Sequence, residues 1–298
     1  MSVSKYKIGI APINWTNDDD PNLGGDIPFD QCIFEMSESG YIGTEVGNKY
    51  PRDIKQLKAA LEPLNLQISS AWYSTFFTEE GRHQETLSAF MDQLSFLSNS
   101  GAKYITVAEC GHCIQSGNLA INNSNKPTFT TKQWDNLIQG LHQLGRIAYD
   151  YGMTVVYHYH MGTGIQNQDE IDYLMKHTSP ELISLLMDTG HAYFAGIDPV
   201  TLIKQYKDRI KYVHLKDIRN EILKKVKADN LCFMDGIREG VFTVPGDGDL
   251  DFKQIFKTLD EIDYRGWMIV EAEQDPAKAN PKKYAKQARE FIKFHTGE

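Results

Sequence analysis

The chain is short of cysteine, of basic charge and of long apolar runs, and each shortage excludes something. Four cysteines, Cys32, Cys110, Cys113 and Cys232, are spread over 298 residues. That is too few for a disulfide-stapled scaffold. Cys110-Gly111-His112-Cys113 has the spacing of a redox tetrapeptide, which needs its first cysteine at a helix N-terminus. Ile114-Gln115-Ser116-Gly117-Asn118 follows instead and reads as loop, so two rim thiols are expected. One CxxC is also only half of a structural zinc site. Lys and Arg number 31 against 40 Asp and Glu, a net charge of −9, with no block of one sign. A nucleic-acid partner is not expected, because it requires clustered cations to neutralise phosphates. No stretch approaches the roughly 20 apolar residues that cross a bilayer. Ile8–Ala11 is too short for a signal peptide and is interrupted by Pro12 and Asn14. The expectation is a cytoplasmic protein with no membrane partner. No linker or low-complexity tract divides the chain, so residues 1–298 are read as one domain.

What is present is alternation. Strand-like segments rich in Ile, Val and aromatics occur at Lys7–Trp15, Tyr41–Gly47, Gln67–Thr75, Lys103–Cys110, Met153–His160, Ile183–His191, Ile210–Asp217 and Trp267–Gln274. Several are nearly continuously apolar, the pattern of strands buried on both faces. Helical periodicity separates them. It is strongest in Arg82–Asn99 and in Thr131–Tyr149, which begins behind a cap at Thr130 or Thr131. Eight such units predict an α/β fold, the (β/α)8 TIM barrel, usually about 250 residues long. The excess falls into two insertions, Gly111–Thr130 and Arg219–Gly248. The competing arrangement is an open doubly wound sheet. No G-x-G-x-x-G follows the first strand, so its nucleotide-binding version has no support.

Four successive apolar runs end in metal-binding types of side chain: Tyr157-His158-Tyr159-His160, Asp188-Thr189-Gly190-His191, His214-Leu215-Lys216-Asp217 and Glu271-Ala272-Glu273. One His or Asp at a strand end is ordinarily a cap. Four in succession converge on one barrel edge, where such folds place their active sites. One ligand per strand gives His158, Asp188, His214 and Glu271. Two imidazoles and two carboxylates suit Mn²⁺, Co²⁺, Fe²⁺ or Zn²⁺. His160, His191, Lys216 and Glu273 are the candidates for acid–base work, and Asp217 reads either as a site residue or as a rim salt bridge. Residues i and i+2 of a strand share a face, so His158 with His160, His214 with Lys216, and Glu271 with Glu273 can all face the axis. The first strands end in Asn14-Trp15, Glu45 with Asn48-Lys49, and Trp72-Tyr73. An indole beside amide, carboxylate and amine groups suits a polyol ring, although Trp15 and Trp72 equally fit as barrel packing. Glu109 reads as an extra ligand or a hydroxyl reader. The Gly-Asp turn Val244–Phe252 lacks the terminal Glu of an EF-hand.

Asp188-x-x-His191, His214, Pro245-Gly246-x-Gly248-x-Leu250-Asp251-Phe252 and Trp267-x-x-Val270-Glu271 together resemble the xylose-isomerase-like barrel superfamily. Within it, Gly9-Ile10-Ala11-Pro12-Ile13-Asn14-Trp15-Thr16-Asn17-Asp18-Asp19, Glu45–Arg52 and Tyr157–Thr163 are similar to the inosose dehydratase family. One departure from the superfamily pattern is His158, where its isomerases and epimerases usually present Glu. That replacement keeps a ligand and loses a base. The resemblance implies dehydration of 2-keto-myo-inositol (scyllo-inosose) to 3D-trihydroxycyclohexane-1,2-dione in inositol catabolism. It also implies a divalent cofactor, Mn²⁺ or Co²⁺, and glutathione, although no residue points to a glutathione site. The expected partner is a small cyclitol ketone, with a homo-oligomer left open. The rival activities are a sugar epimerase or isomerase, which moves a proton without losing water, and a metal-dependent nuclease, which needs a basic groove. A non-catalytic polyol-binding protein would need no metal.

Overall fold

Eight parallel strands close into a ring in the computed structural model, which describes residues 5–298. In chain order the strands are β1 (Tyr6–Ile10), β2 (Gly43–Val46), β3 (Gln67–Thr75), β4 (Tyr104–Glu109), β5 (Thr154–His158), β6 (Ile183–Asp188) and β7 (Ile210–Leu215), then β8 (Asp217–Ile218), β9 (Phe242–Thr243) and β10 (Gly266–Val270). β1 pairs with both β2 and β10, which closes the barrel; β8 and β9 form a separate antiparallel ribbon. The expected TIM barrel is therefore the observed one.

Several strands stop earlier than the apolar patterns suggest, for local reasons. β1 ends at Ile10 because Pro12 opens a short 3-10 turn, Pro12–Asn14. β6 ends at Asp188, whose carboxylate accepts from the backbone N–H of His191 and caps the helix Thr189–Phe194. His191 therefore sits on a helix rather than on a strand end. The helix Thr131–Asp150 begins at Thr130 with a reciprocal capping box to Gln133.

Side-chain alternation along the strands decides what faces the axis. Val156, Leu186, Tyr212, Trp267 and Ile269 form one buried cluster with Ala11. Their neighbours Val155, Leu185, Val213 and Met268 belong instead to the larger core under the helices. Strands repeat every two residues. The next inward positions above Val156, Leu186, Tyr212 and Ile269 are therefore 158, 188, 214 and 271. Low in the barrel, Gly43 leaves room for the Trp267 indole, since a Cβ there would lie 2.3 Å from the ring.

The insertions build a second apolar core, including Ile114, Ile121, Phe194, Phe233, Ile237 and Phe242. Arg219–Gly248 is more ordered than its sequence suggests. It holds the helices Asn220–Ala228 and Phe233–Glu239 as well as β9. A bridge between Ala120 and Cys232 ties the two insertions together. Among the described residues no helix is long and apolar enough to cross a membrane.

Candidate active site

The inward register brings His158, Asp188, His214 and Glu271 together, with one ligand-type atom of each within 4.8 Å of the others. Asp188 is central. Its Oδ2 lies 3.5 Å from His158 Nε2, 3.6 Å from His214 Nδ1 and 3.5 Å from Lys216 Nζ. Tyr159 pins the Asp188 backbone on both sides, donating to its carbonyl at 2.6 Å and accepting from its N–H at 2.9 Å. His214 turns Nδ1 towards Asp188 and Glu271, while its Nε2–H donates to Glu45 Oε1 at 3.0 Å. The Tyr212 hydroxyl donates to the same Glu45 oxygen at 2.9 Å. A carboxylate on the far nitrogen fixes the imidazole tautomer and ring orientation.

These residues fit a divalent cation. Asp188 Oδ2, His214 Nδ1 and Glu271 Oε2 are buried without a hydrogen-bond partner. Such groups are costly unless something pairs with them. His214 Nδ1 and Glu271 Oε2 sit against each other without hydrogen-bonding geometry, two atoms of ligand type beside Asp188. Burial pushes the His158 imidazole down, towards its neutral, ligating form. Burial alone would raise the Glu271 carboxyl, but Lys216 and His214 outweigh it and hold Glu271 at about 2. Replacing Glu45 by glutamine should lower metal affinity about 10- to 100-fold, since it removes the anion behind His214. Metal titration followed by calorimetry checks this, and unchanged affinity would show that Glu45 does not orient the ligand.

A second layer stands one strand repeat higher. His160, His191 and Glu273 group together, all buried. Lys216, fully buried, lies between the layers. Its Nζ donates to Glu273 Oε2 at 2.7 Å and to His191 Nε2 at 2.8 Å, and reaches Glu271 Oε1 at 3.3 Å. Burial would depress this ammonium, but Asp188, Glu271 and Glu273 together hold its pKa above the usual lysine value. Burial, with His160 and Lys216 nearby, pushes His191 well below the usual range, so it is the neutral acceptor for Lys216. Gly190 makes room for the lysine stem, since a Cβ there would lie 2.5 Å from Lys216 Cγ. Phe233 and Phe242, from the second insertion, pack on His160 and His191 respectively. Phe242 also lies under Lys216 Nζ at 4.9 Å.

Above both layers opens a cavity of about 630 Å³. His214, Glu271, His160 and Glu273 line it, with Glu45, Asn48 and Trp72 from the earlier strands. The Trp72 indole meets His158 and His160 edge-on at 5.4 and 5.7 Å. His191 and Lys216 lie beneath the cavity rather than on its wall.

Other expected site residues are placed elsewhere. Trp15 is fully buried in the outer core and its Nε1–H donates to Glu35 at 2.6 Å. Lys49 folds back to donate to the carbonyls of Gly24, Gly25 and Ile27. Asp217 accepts from four backbone N–H groups, of Ile218, Gly246, Gly248 and Leu250, so it shapes the Gly-Asp turn and makes no rim salt bridge. Glu109 accepts from Thr75, Phe77, Thr78 and Gly111, and its carboxylate is consumed in holding those loops. Asn14 accepts from the Ala272 N–H at 3.2 Å, steadying the segment between Glu271 and Glu273. Cys110 and Cys113 are free thiols. Asp18, Asp19, Arg52 and Gln115 line the cavity without having been singled out. Asp18, Asp19 and Arg52 stand in the segments that carry the family resemblance, whereas nothing in the sequence points to Gln115.

Comparison with known proteins agrees with the barrel fold. A family model described as xylose isomerase-like TIM barrel matches residues 33–295. Inosose dehydratase from Clostridium beijerinckii is 52% identical over 297 residues, covering 100% of this chain and 99% of the relative. The chain belongs to the inosose dehydratase family. Inosose dehydratase from Geobacillus thermodenitrificans is likewise 52% identical, over 99% of this chain and 98% of its own length. Among solved structures, a D-psicose 3-epimerase studied in the presence of D-fructose superposes with a TM-score of 0.72 at 15% identity, over 98% of this chain and 100% of that one. The IOLI protein with a bound zinc atom gives 0.71 at 14% identity, over 97% and 98%. At such low identity these structures show that the inosose dehydratase family shares its fold with sugar epimerases.

Proposed function

We propose that this member of the inosose dehydratase family is a metal-dependent hydro-lyase acting on 2-keto-myo-inositol. The observation that carries the reading is the stacking of two layers, a candidate metal-ligand group and a candidate acid–base group, at the floor of one cavity of about 630 Å³. His158, Asp188, His214 and Glu271 would hold a divalent cation; the donor set suits Mn²⁺, Co²⁺, Fe²⁺ or Zn²⁺, and the family resemblance favours Mn²⁺ or Co²⁺ among them. When bound, that cation supplies Lewis-acid polarisation of the ketone, which acidifies the neighbouring C–H.

The chain's own residues supply the proton transfers. Lys216 occupies Glu273 Oε2, which leaves Oε1, on the His160 side, to take the proton from the hydroxyl-bearing carbon next to the ketone. His160 Nε2 stands 3.6 Å from Glu273 Oε1. Burial would lower His160, but Glu273 outweighs it and raises its pKa. As an imidazolium it protonates the hydroxyl on the next carbon as that hydroxyl departs. The C–H pair becomes the ring C=C, the C–O bond breaks, and one water leaves. The resulting enol tautomerises to the 1,2-dione. General acid–base transfers of this kind contribute about 10²- to 10⁴-fold in rate. Neutral His191 holds the Lys216 ammonium in place, and Trp72 offers its face to ring C–H bonds.

Incubating the metal-loaded protein with scyllo-inosose should give a product lighter by one water in mass spectrometry. A product of unchanged mass would identify an epimerase or isomerase. Absence of turnover with Mn²⁺, Co²⁺ and other divalent ions would overturn the proposal.

A further inference from the structure

Gln115, from the insertion after β4, is only 8% exposed yet lines the cavity. Its amide is half satisfied. Nε2 donates to Asp19 Oδ2 at 3.5 Å, while Oε1 is buried with no partner. The assignment of nitrogen and oxygen follows from chemistry, because an amide oxygen facing a carboxylate would be repelled. Asp19 is itself held. Its N–H donates to Asn17 Oδ1 at 2.8 Å, and Ser116 Oγ donates to its Oδ1 at 3.4 Å. The neighbouring Ile114 N–H donates to Gly162 O at 2.9 Å, which seats Gln115 beside the turn that follows His160. A buried acceptor without a donor is unfavourable until a ligand supplies one. A ring hydroxyl is such a donor.

We propose that Gln115, oriented by Asp19 as a positioning residue, is a specificity-determining residue that accepts a hydrogen bond from one ring hydroxyl of the cyclitol ketone. The assignment rests on the dehydratase reading above for its substrate class. It differs from the floor of the site in selecting among hydroxylated rings rather than in performing the elimination.

Gln115→Leu keeps the volume and removes the acceptor. In the metal-loaded variant, KM for scyllo-inosose should rise about 5- to 10-fold, the worth of one neutral hydrogen bond, with kcat within a factor of about three. The Kd of myo-inositol, which carries the ring hydroxyls and cannot eliminate, should weaken equally by calorimetry. Across a set of monodeoxy inososes, one analogue should show the same KM in wild type and variant, because its missing hydroxyl is the one read. Asp19→Ala should weaken binding in the same direction and add nothing in the double variant; it also serves if Gln115→Leu does not fold. Unchanged KM and Kd, or equal weakening for every analogue, would overturn the proposal. Failure of the dehydratase reading shows separately, as no water loss by wild type, and the myo-inositol measurement then still decides the role of Gln115.

Discussion

Asp188→Ala protein should fold and carry no divalent metal. Asp188 Oδ2 is the atom shared by His158, His214 and Lys216, so its loss removes the centre of the ligand group as well as one charge. Elemental analysis after gel filtration should find no stoichiometric Mn²⁺ or Co²⁺, and turnover should fall at least about 10³-fold, matching several kcal/mol of Lewis-acid stabilisation. The side chain also caps the helix Thr189–Phe194 through Oδ1, worth about 1 kcal/mol. Asp188→Asn keeps that cap and separates the two roles. Its thermal midpoint should stay near wild type while its metal affinity drops. Stoichiometric metal in both variants would refute the ligand set. The same group predicts how uptake depends on pH. Burial alone would lower His214, but Glu271 and Glu45 outweigh it and hold it well above the usual histidine value. A proton therefore competes with metal for Nδ1, and ligation through Nδ1 must displace it. Affinity should rise as pH rises, by about tenfold per unit below that raised pKa. A pH-independent affinity would show that His214 is not a ligand.

Lys216→Met should be the most damaging substitution outside the ligand group. Methionine fills the lysine stem's path past Gly190 but leaves Glu273, Glu271 and Asp188 without their shared ammonium. Removing one partner of a buried ionic group costs about 3–5 kcal/mol, which urea denaturation would report directly. Bound metal should recover only part of the loss, because it neutralises Asp188 and Glu271 and leaves Glu273 with His160 as its remaining cationic partner. With Glu273 no longer held on one oxygen, kcat should drop about 10²- to 10⁴-fold. A variant with wild-type kcat would remove Lys216 from the machinery.

The barrel was legible because its strands are apolar on both faces and its helices keep their period. The convergence of the proposed ligand group was legible for a related reason. Its four residues occupy the inward register that Val156, Leu186, Tyr212 and Ile269 define, and a two-residue repeat can be counted along a sequence. The same counting paired His158 with His160 and Glu271 with Glu273. It failed at His191, where the strand had already become a helix capped by Asp188. The less legible residues are those whose direction depends on a loop. Trp15 and Lys49 carry suitable chemistry, but the 3-10 turn at Pro12 sends the indole into the outer core, and three carbonyls of the Gly24–Ile27 segment capture the ammonium. Glu45 lines the cavity, yet its hydrogen bonds go to His214 and Tyr212. Gln115 lies in an insertion whose path is set by contacts with Gly162 and Leu231, and no periodicity announces them.

The bridge between the insertions at Ala120 and Cys232 gives the second apolar core an architecture separate from the barrel. The proposed metal ligands are carried by strands whose register is locked around the ring. The second core hangs from two excursions that close on each other. Exchanging those two excursions together, as a matched pair, should preserve both the barrel and the second core. Exchanging either alone should leave its apolar face without a mate.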